Sequence, residues 1–404
     1  MELQIKSLDN LLKNALQPGE QLKSYSTKNL TSAGDNYGSI MLSITLNIHN
    51  TSTKENYEKH LVGKMPLVNE FFRNIFKVDL TFKKEALIYR DVLPFFNKFY
   101  KNRTSTELDM FPKYLGGQLN YDKSTDRIHN DSIIFLEDLK IKGYKTLDRF
   151  KGFDENTAKI VIQALATLHA TTIAIKLDDI WLFHKLFLSN LEYVSAFDGG
   201  IEINNMINIS LKHATANPKC KAVESKIKEV LTKGLQNLNS AIKCKEPFGT
   251  FSHNDLWLNN VMVKNDGTNI KCKLLDFQLS SYDSVGKDLI FFLFTSLEST
   301  VLKNSFDDLI RYYFDEFTQT LNILNVDTRK FTWNAFLDEV KDSAISTELT
   351  HLFAMLLPIF STPDKSESID VLEEGTLPNE DDVSDEHKQR AVDIALIYIE
   401  KGWI

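Results

Sequence analysis

The sequence predicts an α+β fold in two parts, a smaller strand-bearing part followed by a larger helical one. Three observations carry this. Residues 40–48 alternate apolar and polar side chains, 132–139 is largely apolar, and 59–64 also reads as a strand. Beyond Leu139 the apolar positions recur mostly at helical spacing. At 404 residues the chain also exceeds what one small core accommodates.

The elements follow in order. Leu3, Leu8, Leu11 and Leu12 form a short helical pattern that Pro18 and Gly19 break. From Ile40 to Ile48 the even positions are Ile, Leu, Ile, Leu and Ile, with Ser43, Thr45 and Asn47 between them, as a strand with one buried face requires. The turn cluster before it, residues 31–39, contains Gly34 and Gly38. These would let backbone amides approach a phosphate, though such a glycine pair also serves in a plain turn. A second strand, Lys59–Lys64, stops at Met65–Pro66. The spacing of Phe82, Ala86, Tyr89 and Leu93 predicts a helix over 81–93, which Pro94 ends or kinks. Glu85 on that helix is a candidate partner for Lys64, with Lys83 and Lys84 competing for it. A polar stretch from Gly116 to Asp131 leads into Ser132–Leu139, a buried strand running into a turn.

The remainder is mainly helical. Residues 157–176 are amphipathic, and His169 near their end is read as a structural residue. Further helices are expected over 223–238, from about Asp288, and over 306–324, 331–340, 348–360 and 386–401. Asp288 is read as a helix cap, with bracing of the loop at 253–255 as the alternative. Residues 361–386 are acidic and contain proline, the pattern of a solvated loop.

Composition narrows the function classes. Hydrophobic residues make up 43% and charged residues 25%, ordinary proportions for a globular protein. A formal charge of −8 argues against a general nucleic-acid or anionic-membrane binder. Three cysteines, Cys220, Cys244 and Cys272, have no metal-ligand spacing and suit a reducing compartment. The first residues carry an early acid and no apolar segment, so no signal peptide is read there. No continuous apolar run approaches the roughly 18 residues of a membrane span. A cytoplasmic protein is the expectation.

The chemistry concentrates in Phe251–Gln278. His253, Asp255 and Asn260 form H-x-D-x-x-x-x-N; a polar turn follows at Asn265–Asp266–Gly267, and an apolar run closes on Asp276–Phe277–Gln278. Val261–Val263 and Lys273–Leu275 read as hairpin strands around that turn, which brings Asn260 and Asp276 together at the open end. Two carboxylates and an amide in this order suit metal-assisted phosphoryl transfer. One carboxylate deprotonates a hydroxyl, while the amide oxygen and the second carboxylate hold magnesium.

With these residues in view, the chain resembles the ecdysteroid kinase-like family, relatives of choline kinases and aminoglycoside phosphotransferases. His253–Asn260 is similar to that family's H-G-D-L-W-x-N-N, with Asn254 in place of glycine, and Asp276–Gln278 to its D-F-Q. Gly34–Tyr37 resembles its G-E-N-Y turn, Val62–Lys64 its strand lysine and Phe82–Tyr89 its F-x-x-E-x-x-x-Y helix. Phe135–Leu139 resembles its E-D-L hinge, and Ala166–Ala170 its helix ending H-A. The resemblance implies a protein-kinase-like fold with ATP between two lobes, 1–136 and 137–404. It makes Asp255 the base, gives magnesium to Asn260 and Asp276, and puts Lys64 on phosphate with Glu85 orienting it. Asn36 and Tyr37 would cover phosphate, and Glu137 and Leu139 would lie at the adenine hinge. The acceptor it implies is a hydroxyl of an ecdysteroid-like or xenobiotic small molecule. A choline- or aminoglycoside-type kinase and an inert binding protein of the same fold are the alternatives. Asn254 would keep the loop intact if the usual glycine needs positive φ, which Asn tolerates.

Overall fold

The computed structural model describes residues 11–12, 15–30, 39–122, 124–188, 200–238, 246–361 and 378–404. The alternation along Ile40–Ile48 takes the expected form. Ile40, Leu42, Ile44, Leu46 and Ile48 are all buried on strand β2 (Ser39–Asn50). Antiparallel pairing joins β2 to β1 (Glu20–Asn29) and to β3 (Asn56–Pro66). With β4 (Tyr114–Gln118) and β5 (Ile133–Glu137), these make one five-stranded sheet in the order β1-β2-β3-β5-β4.

Two strands carry no clear sequence signal. β1 is polar and exposed over most of its length, so it lacks alternation, and its pairing with β2 defines it. β4 holds Gly116 and Gly117, at the start of the polar stretch to which no element was assigned. A Cβ at Gly117 would stand 2.4 Å from the Ile133 carbonyl oxygen, so the close approach of β5 demands glycine there.

The chain divides into two compact units. One comprises the described residues up to Pro94 together with Phe111–Lys145, and it holds the sheet and helix α1 (Val78–Leu87). The other comprises Phe95–Met110 and the described residues from Thr146 onward, and it is mainly helical. The α+β class is therefore as expected. The helix predicted over 81–93 starts earlier, at Val78, and Pro94 does not end it. A π-helical turn over Ile88–Val92 leads directly into α2 (Leu93–Thr104), so the helical path continues through Pro94.

In the second unit α3 (Glu155–Asp178) begins at Asp154, whose carboxylate accepts from the Thr157 N–H at 2.8 Å. Helix α4 (Val285–Ser296) is buried almost all round, as its apolar sequence dictates. Helix α5 (Ser299–Ile323) runs along α3, with Ser305 donating to Glu155 at 2.9 Å and Gln163 to Glu316 at 2.8 Å. Among the described residues two helical stretches, Glu155–Asp178 and Trp333–Phe360, are long and apolar enough to cross a membrane, although no continuous apolar run had indicated it. In each, 78% of the apolar window is buried inside the protein, which accounts for its composition. Of the acidic stretch 361–386, residues 362–377 lie outside the described residues. Glu380–Asp382 form a single 3-10 turn capped by Asn379.

Gly286 marks where α4 meets α6 (Trp333–Ser343). A Cβ there would come 2.5 Å from Ser343 Oγ and 2.9 Å from Ser343 Cβ. Gly286→Ala is expected to destabilise the protein by about 1–3 kcal/mol through overpacking. Urea unfolding reads this as a lower midpoint, and an unchanged midpoint would mean the two helices separate freely at that contact.

Candidate active site

In the first unit, β3 and α1 bring Lys64 and Glu85 together. Lys64 Nζ lies 2.7 Å from Glu85 Oε2, with the side chains 4% and 1% exposed. Lys83 does not compete, because it pairs with Asp126 at 2.8 Å. Helix α1 is positioned by Arg73, a buried residue that the sequence reading passed over. Its guanidinium donates to the Leu67 carbonyl at 2.7 Å and the Ile128 carbonyl at 2.8 Å, and it pairs with Asp79 in the first turn of α1. Glu137 accepts from the Lys113 N–H at 2.9 Å and pairs with Lys142. The Leu139 carbonyl accepts from the N–H groups of Lys142 and Tyr144, so the segment expected to be the hinge closes into a tight turn. Asn36 and Tyr37 lie outside the described residues.

In the second unit, β6 (Gly249–Ser252) delivers the chain to His253, Asn254 and Asp255. One 3-10 turn, Leu258–Asn260, then leads into the hairpin of β7 (Val261–Asn265) and β8 (Ile270–Leu274). The connecting turn contains Gly267 at φ 88°, and Asp266 Oδ1 accepts from the N–H groups of Thr268 and Asn269 at 3.0 and 2.8 Å. Val261 stands opposite Leu274, and the Leu275 N–H donates to the Asn260 carbonyl at 2.9 Å. Asn260 and Asp276 therefore leave the same end of the hairpin, as the turn position predicted. Asn260 Nδ2 donates to the Asp255 carbonyl at 2.8 Å and to its Oδ2 at 2.9 Å, which fixes the Asp255 side chain.

Asp288 does not cap its helix. Ser284 does, accepting from the Gly286 N–H at 3.0 Å. The Asp288 carboxylate instead receives the backbone N–H groups of His253 at 2.6 Å and Asn254 at 2.7 Å. His169 Nε2 reaches the same carboxylate at 3.1 Å, and its Nδ1 lies 2.6 Å from the Tyr313 hydroxyl. Burial alone would push the Asp288 carboxyl up. The His169 hydrogen bond, with the His253 amide and ring beside it, outweighs burial and holds it below the usual carboxylate range. His169 is thus structural, as expected, with the added task of holding the brace.

His253 is fully buried. Its Nε2 donates to the Leu275 carbonyl at 2.8 Å, and its ring lies 4.9 Å from that of Phe277. Burial depresses the imidazole pKa, with Asp288 opposing, so the ring is neutral at pH 7. Its Nδ1 has no hydrogen-bond partner among the described residues, so a proton added there would be buried without an acceptor.

The donor set suits magnesium carried on a nucleotide. Asn260 spends its amide nitrogen on Asp255, which leaves Oδ1 as its acceptor atom. One amide oxygen and the Asp276 carboxylate are a normal protein share for magnesium when phosphate and water oxygens complete the shell. No group of three or more His, Cys, Asp or Glu able to hold a metal occurs among the described residues, so no all-protein cage competes with this arrangement there.

Residues 33–326, more than half of the chain, match the ecdysteroid kinase-like family. The chain belongs to the ecdysteroid kinase-like family. No curated protein matches it in sequence. Among solved structures it is similar to an ethanolamine kinase from Plasmodium vivax, at 12% identity, 94% of this chain, 84% of that chain and a TM-score of 0.42. It is also similar to spectinomycin phosphotransferase in complex with ADP and spectinomycin, at 11% identity, 96% and 97% coverage and a TM-score of 0.42. A microcompartment-associated aminopropanol kinase matches at 9% identity, 96% and 97% coverage and a TM-score of 0.44. The ecdysteroid kinase-like assignment rests on the family match, which covers strands β2 to β5, the Lys64–Glu85 pair and the hairpin together.

Two measurements test this geometry. Removing Lys64 leaves the Glu85 carboxylate buried without that cation, so Lys64→Met is expected to cost about 3–5 kcal/mol of stability. Lys64→Met combined with Glu85→Leu should recover most of it in urea unfolding, and equal losses in both would show that the pair is not coupled. The second concerns pH. The unfolded chain protonates His253 near the ordinary value of about 6.5, the folded chain only at lower pH. Between those values the unfolded state holds more protons, so the stabilisation is complete above about pH 6.5 and is lost as the pH falls toward the depressed value. His253→Gln should lose less stability than the wild type between about pH 7.5 and about pH 5, and equal losses would assign the acid sensitivity elsewhere.

Proposed function

We propose that this chain is an ATP-dependent kinase acting on a hydroxyl of an ecdysteroid-like or xenobiotic small molecule. The observation that carries the reading is Asn260, bonded through its nitrogen to Asp255 and turned with Asp276 to one end of the hairpin. Asp255 takes the proton of the acceptor hydroxyl. The hydroxyl oxygen then forms its bond to the γ-phosphorus, and the bond to the β,γ-bridging oxygen breaks as ADP leaves. Asn260 keeps the Asp255 carboxylate in one orientation throughout. Magnesium, when bound, neutralises phosphate charge, with Asn260 Oδ1 and Asp276 as its protein ligands.

In the first unit, Lys64 is the residue for phosphate, and Glu85 orients it through the 2.7 Å ion pair. Asn36 and Tyr37 are assigned to phosphate coverage, and Glu137 and Leu139 to the adenine hinge. In this reading residues 1–136 serve the nucleotide, and 137–404 carry the catalytic loop, the metal ligands and the acceptor pocket. The partner is a small molecule rather than nucleic acid or membrane. Cys220 and Cys272 are free and buried, which supports a cytoplasmic setting.

Asp255 and Asp276 should fail in different ways. Asp255→Asn removes the proton acceptor and should lower turnover at least about a hundredfold, with magnesium–ATP binding nearly unchanged. Asp276→Ala should weaken that binding as well, seen as loss of the thermal shift that magnesium–ATP gives the wild type. Turnover is read as an ATP-dependent mass gain of one phosphate across steroids, phenols and glycosides. Full turnover by Asp255→Asn would remove that residue from the mechanism. A wild type unmoved by magnesium–ATP would remove the kinase reading.

A further inference from the structure

The geometry points to Asn254 as a positioning residue that clamps the segment carrying Asp276 to the segment carrying Asp255. The inference rests on the kinase reading for its consequence, though the clamp itself is a matter of hydrogen bonds.

Strand β6 pairs antiparallel with β9 (Ser281–Ser284), and the ladder ends at Ser252 opposite Ser281. Continued by two residues, the same register would set Asn254 opposite Leu279. The Asn254 backbone cannot complete that pair. It lies in the left-handed region at φ 61°, and its N–H has gone to Asp288 Oδ1 at 2.7 Å. The side chain fills the gap. Nδ2 donates to the Leu279 carbonyl at 3.0 Å and to Ser281 Oγ at 2.7 Å, while Oδ1 accepts from Ser252 Oγ at 2.8 Å. The Leu279 carbonyl can only accept, so the amide nitrogen must face it. A glycine would tolerate the same φ and supply none of these bonds.

The clamp lies two residues beyond the Phe277 side chain, on the far side of Asp276 from the hairpin. On the near side, Leu275 is already tied to this loop by its N–H to Asn260 and its carbonyl to His253 Nε2. Phe277 packs with His253 and, at 6.0 Å between rings, with Phe251. Asp276 itself has φ 63°, a conformation that a non-glycine residue holds only when its surroundings impose it. With Asn254 in place, Asp276 is fixed from both directions by the residues that flank Asp255. Its carboxylate is then held ready before the metal arrives.

The test is the magnesium dependence of ATP binding, measured by titration calorimetry without acceptor, on the full chain. Asn254→Gly keeps the backbone conformation and removes only the side-chain bonds. It should raise the magnesium concentration for half-maximal binding roughly three- to tenfold, the worth of one or two ordinary hydrogen bonds. Ser281→Ala, which changes no residue of the loop at 253–255 and removes one of the bonds to Asn254, should move it in the same direction by less. The double variant should be no worse than Asn254→Gly alone, because both changes break one network. Amide hydrogen exchange over residues 275–281 should quicken in each variant, a readout that needs neither nucleotide nor turnover. Variants that bind magnesium–ATP and exchange like the wild type would overturn the clamp, as would additive effects in the double variant. If Asn254→Gly does not fold, Ser281→Ala decides. A wild type that binds no magnesium–ATP counts against the kinase reading, and the exchange measurement then still decides the clamp.

Discussion

Two backbone N–H groups pointing at one buried carboxylate set the shape of the second unit's loop. The amides of His253 and Asn254 converge on Asp288, and the chain then turns at Asn254, which lies in the left-handed region. That carboxylate is fully buried, and an ionised group there is costly unless its lone pairs are used. His169 uses one of them, and Tyr313 steadies His169 from α5. A residue on α4 therefore holds the loop through contacts that reach α3 and α5. The helices of this unit are the frame on which the loop is stretched, and their apolar burial holds that frame together.

Positive φ occurs at both Asn254 and Asp276. One turns the chain out of β6 toward Asp255; the other turns it out of the hairpin toward Phe277. Each is an uncommon conformation for a residue with a side chain, and each is flanked by hydrogen bonds within the loop. The first unit solves a comparable problem differently. Lys64 and Glu85 are buried as a pair, so their charges are kept from water and need each other, and Arg73 fixes the helix that presents Glu85. In both units ionised groups are held by buried partners rather than by solvent, which is how a site is kept in one geometry in the absence of its ligand.

Much of this was legible in the sequence, for reasons that can be named. β2 was readable because five alternate residues are buried on one face. The hairpin was readable because Asp266 and Gly267 announce a turn, and a turn fixes which residues stand side by side. The Lys64–Glu85 pair was readable from a strand and a helix, although local charge could not exclude Lys83, and only the position of Asp126 removes it. β1 was not readable, because an exposed edge strand has no buried face to pattern. Gly116 and Gly117 gave no strand signal for a related reason: glycine marks a turn and a close strand contact alike, and only the neighbouring strand decides between them. Asp288 was the instructive error. At the start of a helix an aspartate is usually a cap, but Ser284 stands four residues earlier and takes that part, which frees Asp288 for a partner 34 residues away in sequence.

The substitution at Asn254 shows why a motif is better understood through the forces at each position than through its letters. Positive φ favours glycine and admits asparagine, so the backbone requirement is met either way. What asparagine adds is an amide that reaches Leu279 and Ser281, where the strand ladder has ended and the main chain has no donor to spare. A residue that tolerates the turn has been used to extend the sheet by one side chain. The consequence falls on Asp276, whose carboxylate is only as well placed as the short segment carrying it.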